Sequence, residues 1–330
     1  MNSLNDFKKS LFNKGSNSFE DIALEIFNYQ YHNNLVYGDY IRNLNISPDH
    51  VHEIKEIPFL PIEFFKSFEV KTGDWKLQKK FLSSGTTSSV RSCHLVEDTD
   101  FYHLVSRDIY EKMYVDEIKD TVILALLPSY QEQGDSGLVD MIDFFIENSD
   151  SEFSGYYLYD YENLLTTIEN ASKDKGNVVL FGVSFALLDF SEHIKKKFPN
   201  LIIIETGGMK GRRDELTKEE LHAHLKKKFG VETIHSEYGM TELMSQAYSK
   251  GAGQFEMSKW MRVIIRDIND PFNFLQKGKI GGINVIDLAN IHSCSFIETK
   301  DIGMINNDNK FEVLGRIDNS DIRGCNLLVS

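Results

Sequence analysis

The residues best suited to chemistry lie in five short polar stretches, each set against an apolar segment. The first is Phe81-Leu82-Ser83-Ser84-Gly85-Thr86-Thr87-Ser88-Ser89. A turn of hydroxyls around a glycine can wrap a phosphate, because its N–H groups point inward and small side chains let the backbone come close. Ser/Thr/Gly clusters also make ordinary loops. On the phosphate reading, Ser84, Gly85, Thr86 and Thr87 are the contacts.

The second stretch is His235-Ser236-Glu237-Tyr238-Gly239-Met240-Thr241-Glu242, after a β-like segment over Val231 to Ile234. Gly239 permits a sharp turn and Thr241 can donate to a phosphate oxygen. Tyr238 can stack on a base, and Glu242 can hold Mg²⁺, a hard cation that prefers oxygen ligands. A solvated acidic loop is the plain alternative. The third, Glu205-Thr206-Gly207-Gly208-Met209-Lys210-Gly211-Arg212-Arg213, closes an Ile-rich run. Ligands of open α/β sheets bind beyond such strand ends. Gly207 and Gly208 allow close contact with a flat base, and Lys210 can meet phosphates; a simple basic turn competes.

The fourth, Thr299-Lys300-Asp301-Ile302-Gly303, reads as a polar turn in which Asp301 either accepts from a ribose diol or makes an ordinary Asp-turn. The fifth is Gly315-Arg316-Ile317-Asp318, followed by Arg323-Gly324-Cys325. Arg316 offers a rigid fork for phosphate or carboxylate, or is a surface arginine without a role. Cys325 is a thiol near the chain end, with a buried, gap-filling cysteine as the usual alternative.

These stretches need a scaffold, and the pattern supplies one. Thr121 to Leu127, Val178 to Phe181 and Asn200 to Glu205 are short Val/Ile/Leu runs bounded by breakers, as buried strands are. Helical patterns separate them, including a capping box at Thr217 before Leu221, Leu225 and Phe229. Ser184 reads as a helix cap. Ser18 with Asp21 caps an earlier helix over 18–31. Strands alternating with helices predict a mostly parallel α/β sheet. From about residue 255 the segments shorten (Arg262 to Arg266, Ile280 to Asp287, Phe311 to Leu314) and the texture becomes β-rich. No linker composition appears, so one domain over 1–330 is expected, with that β-rich sublobe. The aromatics of 51–70 either pack a core or line an apolar tunnel.

Composition narrows the function classes. A net charge of −14 offers no basic excess for nucleic acid. Cys93, Cys294 and Cys325 make neither a zinc spacing nor a disulfide framework. The first residues carry no signal-peptide pattern and no run is long enough to span a bilayer, so a cytoplasmic setting is expected. P-loop, G-x-G-x-x-G, kinase and G-x-S-x-G patterns are missing.

The order of the stretches resembles the adenylate-forming enzymes, the acyl-CoA synthetase and firefly luciferase superfamily. Leu82 to Thr87 resembles their phosphate loop, Tyr238-Gly239-Met240-Thr241-Glu242 matches their Y-G-x-T-E motif, Asp301 falls at the ribose aspartate, and Gly315 to Asp318 resembles their G-R-x-D hinge motif. Within that superfamily the chain is most similar to the LuxE-type acyl-protein synthetases, on Ala125 to Tyr130, Glu205 to Gly211 and Arg323-Gly324-Cys325. Two positions depart: Ser88-Ser89-Val90-Arg91 replaces the usual Gly-x-Pro-Lys ending, with Arg91 as the substitute charge, and Lys300 replaces the glycine of T-G-D.

The resemblance implies the large α/β domain of these enzymes, with the β-rich sublobe and without the small C-terminal domain. It implies ATP and Mg²⁺ as cofactors, with Mg²⁺ on Glu242, adenine between Tyr238 and Gly208, and Lys210 and Arg316 offsetting phosphate charge. The expected reaction joins a carboxylic acid, fatty by resemblance, to AMP and then passes the acyl group to Cys325, with His235 and Arg323 assisting the thiolate. A separate acyl reductase is the implied protein partner, and an oligomer is left open. An acid–CoA ligase and a non-catalytic nucleotide-binding scaffold are the alternatives.

Overall fold

A computed structural model describes residues 18–84, 90–115, 117–128, 134–173, 177–207 and 216–317. Among them the strands are, in chain order, β1 (Leu60–Pro61), β2 (Lys79–Leu82), β3 (Cys93–Val96), β4 (Thr121–Leu126), β5 (Gly155–Tyr156), β6 (Asn177–Val183), β7 (Ile202–Thr206), β8 (His235–Tyr238), β9 (Ala247–Ser249), β10 (Gln254–Phe255), β11 (Met261–Arg266), β12 (Gly281–Asp287), β13 (Phe296–Ile305) and β14 (Phe311–Arg316). The chain forms two compact units: residues 74–260, and a second made from residues up to Gly73 with those from Met261 onward.

The 74–260 unit is built on a sheet of order β5-β4-β6-β7-β8-β9. β5, β4, β6, β7 and β8 are parallel, and β9 runs antiparallel to β8. All six residues of β4 are buried, as a central strand covered on both faces requires. On one face Leu124, Leu126, Leu180 and Ile203 pack under Leu164, Ile168, Leu187, Phe190, Leu225 and Phe229, from helices Tyr161–Ala171, Ser184–Ser191 and Lys218–Phe229. On the other, Phe181 meets Tyr110 at 6.0 Å and Phe145 at 6.4 Å, from helices Thr99–Tyr114 and Gly137–Glu147. Each buried Leu, Ile or Phe contributes on the order of 1.5–3 kcal/mol, so these two layers hold the sheet rigid beneath its strand ends.

The predicted capping box forms as read: Thr217 accepts from the Glu220 amide at 3.2 Å, and Glu220 accepts from the Thr217 amide at 2.9 Å. β2 and β3 make a separate antiparallel hairpin, with Leu82 opposite Cys93.

In the second unit β11, β12, β13 and β14 pair antiparallel in that order, the β-rich texture seen in the sequence. What composition did not show is that the N-terminal segment belongs with them. β1 pairs in parallel with β13, Leu60 opposite Ile297. Helix Phe19–Asn33, capped by Ser18 and Asp21, sends Gln30 into the loop before β13. There Gln30 Nε2 donates to the Asn290 carbonyl at 3.1 Å and its Oε1 accepts from the Ser295 amide at 2.9 Å. Asn34 adds a bond from Nδ2 to the Ser293 carbonyl at 2.8 Å. The aromatics of 51–70 divide. Phe59 and Phe65 are buried, Phe59 lying 6.3 Å from Phe296, whereas Phe68 is exposed beside Phe64.

Candidate active site

β7 and β8 bring two of the predicted stretches side by side. Their register sets Glu205 opposite Ser236 and Thr206 opposite Glu237. Glu205 ends an otherwise apolar strand with its side chain inside the protein, so it needs partners. It has four. Ser236 Oγ donates to Oε1 at 2.8 Å, Lys218 Nζ lies at 3.1 Å and His222 Nε2 at 3.5 Å, while Ser184 Oγ sits 3.3 Å from Oε2. Burial alone would raise this carboxyl; His222, Lys218 and Ser236 outweigh it and hold it at about 2, so Glu205 is an anion at neutral pH.

Ser184 corrects an expectation. It is the first residue of its helix and Val183 is the cap. Its hydroxyl instead donates to the Gly207 carbonyl at 2.8 Å. Ser184 sits one position inside the cap, where its hydroxyl proton goes to the buried acceptors beside it.

Gly207 adopts φ 70°, in the left-handed region where a side chain is strained. Among the described residues no heavy atom beyond its chain neighbours lies within 4 Å of where a Cβ would stand there.

The strand expected over Val231 to Ile234 lies instead at His235–Tyr238, on the motif itself, because pairing to β7 begins at His235. Thr206 Oγ1 donates to Glu237 Oε2 at 2.6 Å. Glu237 Oε1 lies 2.4 Å from where a Gly239 Cβ would stand, so a side chain there would require the Glu237 carboxylate to move. Burial pushes Glu237 up to about 7, with Glu205 adding to the rise and Thr206 and Lys218 opposing it. Tyr238 is buried, its ring 5.8 Å from Phe255. The Thr241 carbonyl accepts from His94 Nδ1 at 2.8 Å, which places the proton of His94 on that nitrogen. Glu242 is buried. Among the described residues no three His, Cys, Asp or Glu side chains converge as a metal cage.

His235 lies to one side of this turn. Its Nδ1 is 3.2 Å from Tyr114 Oη and its Nε2 3.3 Å from Thr233 Oγ1. Burial, aided by the charge of Lys250, lowers it to about 4, so it is neutral at pH 7.

The hairpin shows the base of the Ser/Thr stretch. The Ser83 amide donates to the Ser92 carbonyl at 3.0 Å, and the Ser92 amide returns a bond to Ser83 Oγ at 2.9 Å. Arg91, expected as the substitute phosphate charge, is engaged here instead: Nε donates to the Ser83 carbonyl at 2.5 Å and Nη1 pairs with Asp135 at 3.1 Å. Carbonyls at the loop entry and a nearby carboxylate claim its fork. Ser84 is exposed at the edge of the described chain. Gly85, Thr86, Thr87, Gly208, Lys210 and Cys325 lie outside the described residues.

In the second unit Asp301 and Arg316 face each other across β13 and β14, Arg316 Nε lying 4.0 Å from Asp301 Oδ1. The turn expected at Thr299 to Gly303 is strand: the neighbouring strands pair with it on both sides, through an irregularity at Ile302 and Gly303. Lys300 pairs with Glu63 at 2.5 Å.

Sequence reasoning missed Glu205, Ser184, Ser236, His222 and Lys218 as one network. The signal was present in Ile202-Ile203-Ile204-Glu205, where a charge ends a run that must be buried.

A family model described as "Acyl-protein synthetase, LuxE" matches residues 142–330. Solved structures share the fold. A 2-hydroxyisobutyryl-CoA ligase in complex with 2-HIB-AMP and CoA has TM-score 0.67 and 11% identity, covering 96% of this chain and 70% of that one. ATP-bound MatB from Rhodopseudomonas palustris gives 0.52 and 17%, covering 73% and 48%. The luciferase-like enzyme of the nonluminescent Zophobas morio mealworm gives 0.52 and 15%, covering 77% and 61%. The chain spans about half the length of the first three solved structures it matches (48%, 50% and 48%). No curated protein matches it. The large α/β domain with a β-rich C-terminal sublobe is thus the fold this chain shares with these solved structures. Because the family model spans more than half of the sequence, the chain belongs to the LuxE acyl-protein synthetase family.

Proposed function

We propose that this protein uses ATP to activate a carboxylic acid as its acyl-adenylate. The acid's oxygen attacks the α-phosphorus, the α–β phosphoanhydride breaks and pyrophosphate leaves. The observation that carries the reading is the pairing of β7 with β8, which sets Gly207, in its left-handed conformation, beside the Tyr238-Gly239-Met240-Thr241-Glu242 turn. Both are at the carboxyl ends of parallel strands, where ligands of such sheets bind. Gly207 and Tyr238 then hold the base, Thr241 meets phosphate, and Glu242 would hold Mg²⁺, which would supply positive charge to offset the leaving pyrophosphate. Ribose contact by Asp301 and phosphate contact by Lys210, Arg316, Ser84, Gly85, Thr86 and Thr87 are proposals from the sequence motifs.

The acceptor of the acyl group is taken to be the thiol of coenzyme A. Its support is the fold shared with a ligase solved with an acyl-adenylate and CoA. This reverses the order expected from sequence, which placed Cys325 first. Transfer to Cys325, with a reductase downstream, stays as the second reading, because the family is described as acyl-protein synthetases. His235, neutral and engaged by Tyr114, offers a base of low strength for that step. A cytoplasmic setting is proposed from the cysteine usage; no described helix is long and apolar enough to cross a membrane.

Acid-dependent ATP–pyrophosphate exchange tests the activation step, and CoA-dependent AMP release tests the acceptor. Cys325→Ser is expected to leave both unchanged. Loss of a hydroxylamine-sensitive acyl label from the chain in that variant, with no AMP release on adding CoA, would favour the second reading.

A further inference from the structure

The connection from β8 to β9 runs from Gly239 to Gln246 and carries Thr241 and Glu242. Within it the Leu243 amide donates to the Met240 carbonyl at 3.0 Å, closing a turn with Thr241 and Glu242 at its two central positions. Such a turn ties its first residue to its last and leaves the peptide group between the central two outside its own bond. Here that peptide group joins Thr241 to Glu242, and its tilt steers both side chains.

His94 reaches it from another element. Nδ1 donates to the Thr241 carbonyl at 2.8 Å, and the histidine is 1% exposed. A polar ring this deep needs its N–H to meet an acceptor, so the bond holds both partners in place.

The strand that carries His94 is itself clamped. His94 stands opposite Phe81 across the β2–β3 hairpin. The Phe81 ring lies 3.3 Å from where a Gly137 Cβ would stand and 5.2 Å from the Tyr102 ring, which wedges it against helices Gly137–Glu147 and Thr99–Tyr114. The Leu82 amide donates to the Asp135 carbonyl at 2.8 Å, and Lys79 pairs with the buried Asp140. The Ser/Thr stretch leaves this same hairpin, whose base is closed by the bonds between Ser83 and Ser92. His94 thus ties the Thr241–Glu242 peptide to the support of a second polar stretch.

We propose that His94 is a positioning residue for adenylation: through the Thr241 carbonyl it keeps the Tyr238–Glu242 turn in register with the β2–β3 hairpin, so that Thr241 and Glu242 are held ready for the triphosphate. It touches no substrate. The proposal rests on the adenylation reading, which puts phosphate at this turn. Donors and charges aimed at a transition state act only when held in place, and a misplacement of about 1 Å can cost about 100-fold in rate.

The test compares His94→Asn with His94→Leu. Asparagine keeps a short side-chain N–H donor, whereas leucine fills the space and donates nothing. His94→Phe is a second donorless variant should leucine fail to fold. Acid-dependent ATP–pyrophosphate exchange gives kcat and KM for ATP and for the acid. Calorimetry gives ATP affinity apart from turnover, and amide hydrogen exchange across 238–243 reads the turn directly. Denaturant unfolding sets conditions in which the variants are folded. The donorless variants are expected to lose about tenfold or more in kcat/KM for ATP, to keep KM for the acid within about twofold, and to exchange the turn amides faster. His94→Asn should return kcat/KM for ATP to within about threefold of wild type. A role in stability alone predicts fewer folded molecules with unchanged KM, and equal losses in the asparagine and donorless variants. Either result, or wild-type ATP kinetics in a folded donorless variant, overturns the proposal while adenylation by wild type stands. If wild type supports no exchange with any acid, the adenylation reading fails by itself. ATP affinity weakened in the donorless variants and restored in His94→Asn would still support the positioning role, and equal affinities or no ATP binding would end it.

Discussion

The two units hold their motif residues in different ways. In residues 74–260 the polar turns hang from the ends of parallel strands, and a buried anion ties those ends together. Glu205 reaches Ser236 on β8, Lys218 and His222 on the helix that follows β7, and Ser184 after β6. In the other unit Asp301 and Arg316 lie along antiparallel strands already secured by their ladders, and Arg316 is 63% exposed. Parallel strand ends have no hairpin to fix them, so side chains must. The lesson is that equivalent-looking polar motifs carry unequal structural weight, and substitutions should expose this.

The largest effect should come from Glu205→Ala. Removing one member of a buried charge cluster costs about 3–5 kcal/mol. Here the lower end is expected, since Lys218 is about one-third exposed and can reach solvent. Denaturant unfolding should show the loss, with exchange activity falling further than stability as the Gly207 turn loosens. A cost below ~1 kcal/mol would erase the contrast between the units.

Gly303→Ala probes the second unit on its own ground, backbone packing. A Cβ at Gly303 would stand 2.1 Å from the Glu312 carbonyl of the neighbouring strand, which cannot step aside. A destabilisation of about 1–3 kcal/mol is expected from such overpacking, measured the same way.

The pH dependence sharpens the comparison further. Glu237 has its carboxyl raised to about 7 from 4.5 by burial first and by Glu205 second. A raised carboxyl contributes stability that is complete below the unfolded value and is lost as pH climbs through the folded one. Stability should therefore fall between pH 4.5 and 7, by no more than about 3 kcal/mol. Glu205, depressed to about 2, works the other way: its contribution is present above 4.5 and is lost as pH drops toward 2. Glu237→Gln should flatten the upper slope and leave the lower one. An unchanged upper slope would show that Glu237 is not the titrating group.

Arg316→Ala should give the smallest stability change, below about 1 kcal/mol, because an exposed pair at 4.0 Å is screened and mobile. Any larger effect on exchange than on unfolding would point to a role in anion contact.

Much of the sheet was legible because buried parallel strands are near-continuous apolar runs. The segment 121–127 and the Ile-rich run before Glu205 show that directly, as does the capping box at Thr217. What stayed illegible was set by pairing across long sequence distances. The strand at His235–Tyr238 looks polar, and only its register with β7 makes it a strand. Thr299 to Gly303 reads as a turn for the same reason, though β12 and β14 hold it extended. The union of the N-terminal helix with the C-terminal strands rests on Gln30 and Asn34 bonding backbone more than 250 positions away, which no local pattern announces. Of the site, the Y-G-M-T-E turn was visible as a motif. The Glu205 network beneath it was not, since it depends on which side chains two strands and two helices bring together.

The most direct test of the central claim is ATP–pyrophosphate exchange by the purified protein with Mg²⁺, scanned across a broad panel of carboxylic acids. The account predicts exchange that depends strictly on an added acid, with the matching acyl-adenylate detectable by mass spectrometry after quenching. Folded protein that binds no ATP, or that shows no acid-dependent exchange with any member of the panel, would contradict it.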